Sequence, residues 1–136
     1  MLRLAGLALL LAAAQQKSAK TVEECLKAFK VPDGLEVTCF AEEPGCINPT
    51  NMDIDERGRV WWVESMNYRG SKMRPAGDRI MIAEDTDGDG KADSYKVFYQ
   101  DPSIVGPLGL TVLGNKVYVA QSPRMWVFTK IGRAHV

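Results

Sequence analysis

The chain has 136 residues, 46% of them hydrophobic and 25% charged, the make-up of a soluble globular domain rather than a fibrous or disordered one. Lysine plus arginine equals aspartate plus glutamate at 17 each. Neither a broad basic face for nucleic acid nor an acidic solvating tail is therefore expected.

Residues 1–14, MLRLAGLALLLAAA, set one Arg before an apolar run of about a dozen residues that ends in small side chains, the pattern of a secretory signal peptide cleaved after Ala14. The run falls short of the roughly 20 apolar residues that span a bilayer. Export to the periplasm or the cell surface is the expectation. Residues 15–34 follow as a helix and linker. Thr21 and Glu24 form a capping box, Val22, Leu26 and Phe29 share one helical face, and Pro32 and Gly34 stop the helix. The apolar stripe is expected to pack into the core.

From 35 to 130 the pattern changes to short strands bounded by Gly, Pro, Asn and Asp. LEVTCFAEEP alternates and reads as a strand, DERG reads as a turn, and RVWWVES is apolar on both faces, which predicts a strand covered from both sides. RIMIAED, SYKVFYQ, LTVL, KVYVAQS and RMWVFTK complete the series. Within it lies a repeat: GRVWWVES (Gly58 to Ser65) aligns with NKVYVAQS (Asn115 to Ser122), and RIMIAED (Arg79 to Asp85) with RMWVFTK (Arg124 to Lys130). A unit of about 40 to 50 residues with four short, doubly covered strands has the arithmetic of a propeller blade. The expectation is an all-β fold, about two blades of a β-propeller after a short helix, with a β-sandwich as the competing architecture. Trp61 and Trp62 read as packing between sheets. Asn67, Tyr68 and Arg69 open a long loop of the kind that builds ligand sites, although a solvated loop held by its Tyr is the better account of any single one of them. Glu64 reads as a strand-end carboxylate in solvent.

Between RIMIAED and SYKVFYQ lies DTDGDGKAD. Asp85, Asp87 and Asp89 take the first, third and fifth places of a calcium loop, Gly90 the sixth, Lys91 the seventh through its carbonyl, and Asp93 the ninth. Lys96 stands where an EF-hand has its bidentate Glu, and strands flank the loop, so this is no EF-hand. A calcium loop on a hairpin is expected, because carboxylates this close repel without a cation. The competing account is a polar turn in which Asp and Gly satisfy the backbone.

Cys39 and Cys46 could bridge the CFAEEPGC loop, or all three cysteines, Cys25 included, remain thiols; spacing leaves both open. There is no C-x-x-C-H haem motif and no paired C-x-x-C zinc pattern. The last six residues, IGRAHV at 131–136, look like one reading frame of a sequencing-library adapter and are expected to be foreign, which removes His135, the single histidine, from consideration as a base or ligand.

LKAFKVPDGLEVTCFAEEP, NPTNMDIDERGRVWWVES and DRIMIAEDTDGDGKAD, in that order, resemble the N-terminal propeller region of the membrane-bound dehydrogenase family abundant in planctomycetes and verrucomicrobia, haem-binding C-x-x-C-H proteins. Their propeller is similar to that of the soluble quinoprotein glucose and sorbosone dehydrogenases. The resemblance covers nearly all of Ser18 to Lys130, and Cys39 and Cys46 depart from it by standing where apolar residues are expected. It implies a six-bladed, TolB-like propeller and an exported, in some members membrane-associated, oxidoreductase. That enzyme would act on a sugar or related alcohol with pyrroloquinoline quinone (PQQ) and pass electrons to a haem c domain beyond this chain. Quinoprotein glucose dehydrogenases use a His as base with Arg and Lys near the quinone. No such His lies in 15–130, so no catalytic or quinone-binding residue is carried over. A non-catalytic calcium-binding propeller scaffold, or a complete small β-sandwich, stays open beside this reading.

Overall fold

The computed structural model describes residues 20–70 and 72–130; the signal-peptide and adapter readings, at 1–14 and 131–136, lie outside them. Among the described residues one short helix, α1 (Val22–Leu26), precedes seven strands: β1 (Pro49–Ile54), β2 (Val60–Glu64), β3 (Arg79–Glu84), β4 (Ser94–Gln100), β5 (Gly109–Leu113), β6 (Lys116–Gln121) and β7 (Arg124–Thr129). No described helix is long and apolar enough to cross a membrane. The all-β expectation holds. The strands form two antiparallel sheets, β1-β2-β3-β4 and β5-β6-β7.

The capping box forms as expected: Glu24 donates its backbone N–H to Thr21 Oγ1 at 3.2 Å and accepts the Thr21 N–H at 2.9 Å. The helix is shorter than its apolar stripe, and the stripe does not reach the core. None of its residues is buried, and Phe29 is exposed beyond its end. LEVTCFAEEP also departs from expectation. It runs extended without joining either sheet, held at Phe40, whose carbonyl accepts the Ala92 N–H at 2.8 Å.

The edge strand beside β2 is instead PTNMDI, in which polar residues alternate with Met52 and Ile54. Its polar side chains are what join the two sheets. Asn51 Oδ1 accepts the Leu110 N–H at 2.7 Å, Asp53 Oδ2 accepts the Val112 N–H at 2.8 Å, and Thr50 Oγ1 donates to the Pro107 carbonyl at 2.8 Å. β5 thus runs parallel to β1, with side chains taking the place of a backbone ladder.

Between the sheets lies the main core: Trp61, Val63, Ile80 and Ile82 from the first, Leu110, Val112, Val117 and Val119 from the second, with Phe98, Trp126 and Phe128 packed against them. Each such side chain contributes about 1.5–3 kcal/mol on burial. A smaller cluster, Trp62, Met81 and Ala83 with Phe40 and Cys46, covers the other face of the first sheet, so β2 is enclosed from both sides as its sequence requires. The repeat also has a structural counterpart. β2 and β3 are the second and third strands of the first sheet, and β6 and β7 hold the same places in the second.

Candidate functional site

Antiparallel order fixes which loops share an end. The β1–β2 and β3–β4 connections lie together; the β2–β3 loop, 65–78, and the β4–β5 connection, 101–108, lie at the opposite end. The aspartate loop and the long loop are therefore at different ends of the molecule.

At the first end, Asp85, Asp87 and Asp89 each bring one carboxylate oxygen to within 4.8 Å of the others. That span fits oxygens around Ca²⁺, which is bound at about 2.3–2.6 Å. The curl that gathers them is built by Asp85, whose oxygens accept the N–H groups of Gly88 (2.7 Å), Asp89 (3.2 Å) and Gly90 (2.9 Å). Gly90 has φ +85, a conformation that side chains disfavour. The Gly90 N–H foremost, then those of Gly88 and Asp89, hold the Asp85 carboxyl below its ordinary range. Lys91 donates its N–H to Asp89 Oδ1 at 2.8 Å. Asp93 stands apart from the three, its carboxylate accepting the Thr86 N–H at 3.0 Å and the Thr86 hydroxyl at 2.8 Å.

At the other end a buried polar network ties the loops down. Glu64 is fully buried, not solvated. Arg79 grips it with two bonds, Nε at 2.7 Å and Nη2 at 2.8 Å, and Arg74 pairs with the same carboxylate. Burial pushes the Glu64 carboxyl up, and the bonds from Arg79 and Arg74 outweigh that and draw it down. Asp78, also fully buried, accepts the Gly106 N–H at 2.7 Å and the Asn67 N–H at 3.1 Å. Asn67 closes the loop on itself through two bonds to the Arg74 backbone, at 2.8 and 2.9 Å. Gly77 allows the tight approach: its φ is +90, and a Cβ there would lie 1.8 Å from the Asp101 carbonyl oxygen.

Of the loop residues singled out by sequence, Asn67 is thus structural. Tyr68 and Arg69 are exposed, with the Arg69 guanidinium 5.2 Å from the Tyr68 ring centre. Sequence reasoning missed Asp78, Arg74 and Arg79; the signal available was the adjacent charges Asp78 and Arg79 at the start of an apolar strand. Beside this network lies a cleft of about 380 Å³ lined by Asn67, Lys72, Arg74, Pro75, Pro102 and Val105.

Trp61 packs between the sheets as expected, whereas Trp62 lies on the other face of the first sheet, against Phe40, Cys46 and Tyr95. Trp61 meets Phe98 edge-on at 4.9 Å and donates its indole N–H to Asp55 at 2.9 Å. The cysteines are free thiols. Burial, helped by nearby Glu64, raises the Cys46 thiol above its ordinary value, which makes it a poor nucleophile at neutral pH.

Residues 21–131 match the family described as Domain of unknown function (DUF7133), and the chain belongs to that family. No curated protein and no solved structure matches it.

Proposed function

We propose that this DUF7133 chain supplies two adjacent blades of an exported β-propeller dehydrogenase that oxidises a sugar or related alcohol and passes the electrons to a haem c domain outside this chain. The observation that carries the reading is the repeat: two sheets with equivalent strands in equivalent places, stacked face to face. Export rests on the signal-like residues 1–14, and the dehydrogenase activity on the resemblance of the propeller sequence.

The described residues do not complete a PQQ site. They include no histidine to act as base, and both arginines of the network, Arg74 and Arg79, are committed to the Glu64 carboxylate. The role proposed for this part is to shape the rim of the site. Calcium is different, since its donor set fits. Asp85, Asp87 and Asp89 would hold the ion, which would cancel their mutual repulsion and fix the β3–β4 hairpin.

A second reading, a binding module without catalysis, draws support from the two carboxylates buried at the long-loop end. Glu64 and Asp78 both hold structural partners. Discrimination comes from a longer DUF7133 protein that carries its own haem, incubated with PQQ, Ca²⁺ and a panel of aldoses and polyols. Haem reduction that depends on the added sugar or alcohol is the expected result. No reduction with any of them, in a protein that still binds a sugar by calorimetry, leaves the binding module as the function.

A further inference from the structure

The first sheet is covered on both faces. The second sheet stacks on one of them. On the other, Phe40 and Cys46, with Ala92 of the β3–β4 loop, pack over Trp62, Met81 and Ala83. Phe40 belongs to LEVTCFAEEP, the segment before β1 that has the alternation of a strand and joins neither sheet. That segment therefore stands in the layer which a third sheet, about 10 Å from the first, takes in a stack.

Its backbone is unused. Among the described residues no backbone carbonyl accepts the N–H of any residue from Glu36 to Ala41. In an extended chain the N–H and C=O of one residue point to one side and those of the next to the other. The Phe40 carbonyl accepts the Ala92 N–H at 2.8 Å, so Phe40, and with it Thr38 and Glu36, is directed at the β3–β4 connection. Val37 and Cys39 present their backbone groups to the opposite side, as a free edge. Both residues also line a cleft of about 320 Å³ with Val22, Leu26 and Phe29, which sets α1 along the segment. Leu35, 68% exposed, and Phe29, 61% exposed, leave apolar surface beside that edge. An alternating strand with an open edge is a template for pairing.

We propose that residues 35–41 are the edge strand of a third sheet, whose other strands come from a part of the longer DUF7133 protein that follows the second sheet. Continuity carries the choice of occupant, since the segment already covers the first sheet on the face opposite the second. In a closed ring of stacked sheets the neighbour on that side is the last sheet, so the pairing fastens the ring. The inference rests on the proposed propeller and takes nothing from its chemistry.

Residue-level hydrogen exchange on the longer, haem-carrying DUF7133 protein tests it, at the positions equivalent to 36–39. The amides of Val37 and Cys39 should exchange at least about tenfold more slowly than those of Glu36 and Thr38. Val37→Pro should release the Cys39 amide, whereas Thr38→Pro, where the N–H stays out of the ladder, should leave it protected. A photo-cross-linking phenylalanine analogue in place of Leu35 should label a strand that follows the second sheet in the chain. Four amides that exchange alike, fast or slow, overturn the proposal, as does a label confined to residues 20–130 or placed on a second molecule. Alternate protection supports the strand whether or not the haem is reduced, so this assay and the haem-reduction assay fail separately.

Discussion

Asp55 is a carboxylate taken out of solvent and kept ionised. Burial pushes its carboxyl up, but the Arg59 guanidinium, the Trp61 indole and the N–H groups of Arg57 and Arg59 outweigh that and bring it down to about 2. A depressed carboxyl stabilises the fold fully above its unfolded value near 3.9, and that stabilisation disappears as pH falls through the folded value. Urea midpoints should therefore drop between about pH 4 and pH 2. Asp55→Asn should lower the midpoint at pH 7 and leave it nearly unchanged at pH 2; equal losses at both values would remove Asp55 as the source. The aspartate loop makes a second prediction at this scale. If Asp85, Asp87 and Asp89 hold Ca²⁺, the ion at a hundredfold excess over its Kd adds about 2.7 kcal/mol, several degrees in melting temperature. Asp87→Ala should abolish that rise while barely changing the melting temperature in chelator. A melting temperature indifferent to millimolar Ca²⁺ reduces the loop to a turn.

Strand β1 shows how an element can be essential and hard to read. Its apolar residues, Met52 and Ile54, face out, and its polar ones, Asn51 and Asp53, face the neighbouring sheet. An alternation rule that places apolar residues inward gives no strand there. LEVTCFAEEP has the alternation but no partner edge, and remains unpaired. The other strands were legible because apolar runs between turn residues leave little choice at that length. The three converging aspartates were legible for a similar reason, since the contacts that gather them lie within a few residues. The network around Glu64 was not, because its partners stand 10 and 15 residues away and only the fold brings them together. If Asn51 and Asp53 join the sheets, removing either acceptor leaves a strand N–H without a partner, at a cost of about 1–3 kcal/mol. Asn51→Ala should speed hydrogen exchange at Leu110, and Asp53→Ala at Val112, with the β6–β7 amides less affected. Uniform acceleration across both sheets would mean that the strand as a whole, and not these bonds, holds the interface.

At the scale of the whole molecule, the two sheets do not lie at equal spacing along their width. On the β1–β5 side a single carboxamide or carboxylate reaches from one backbone to the other, at 2.7 and 2.8 Å from the amides it meets. On the β4–β7 side two phenyl rings, Phe98 and Phe128, stand between the strands with centres 5.9 Å apart, and Tyr99 crowds the same ring at 4.7 Å. The pair is therefore tapered like a stone cut for an arch. Stones of that shape laid in series turn always to the same side. In this molecule the taper is the difference in length between Asn51 or Asp53 on one edge and two phenylalanines meeting edge to face on the other.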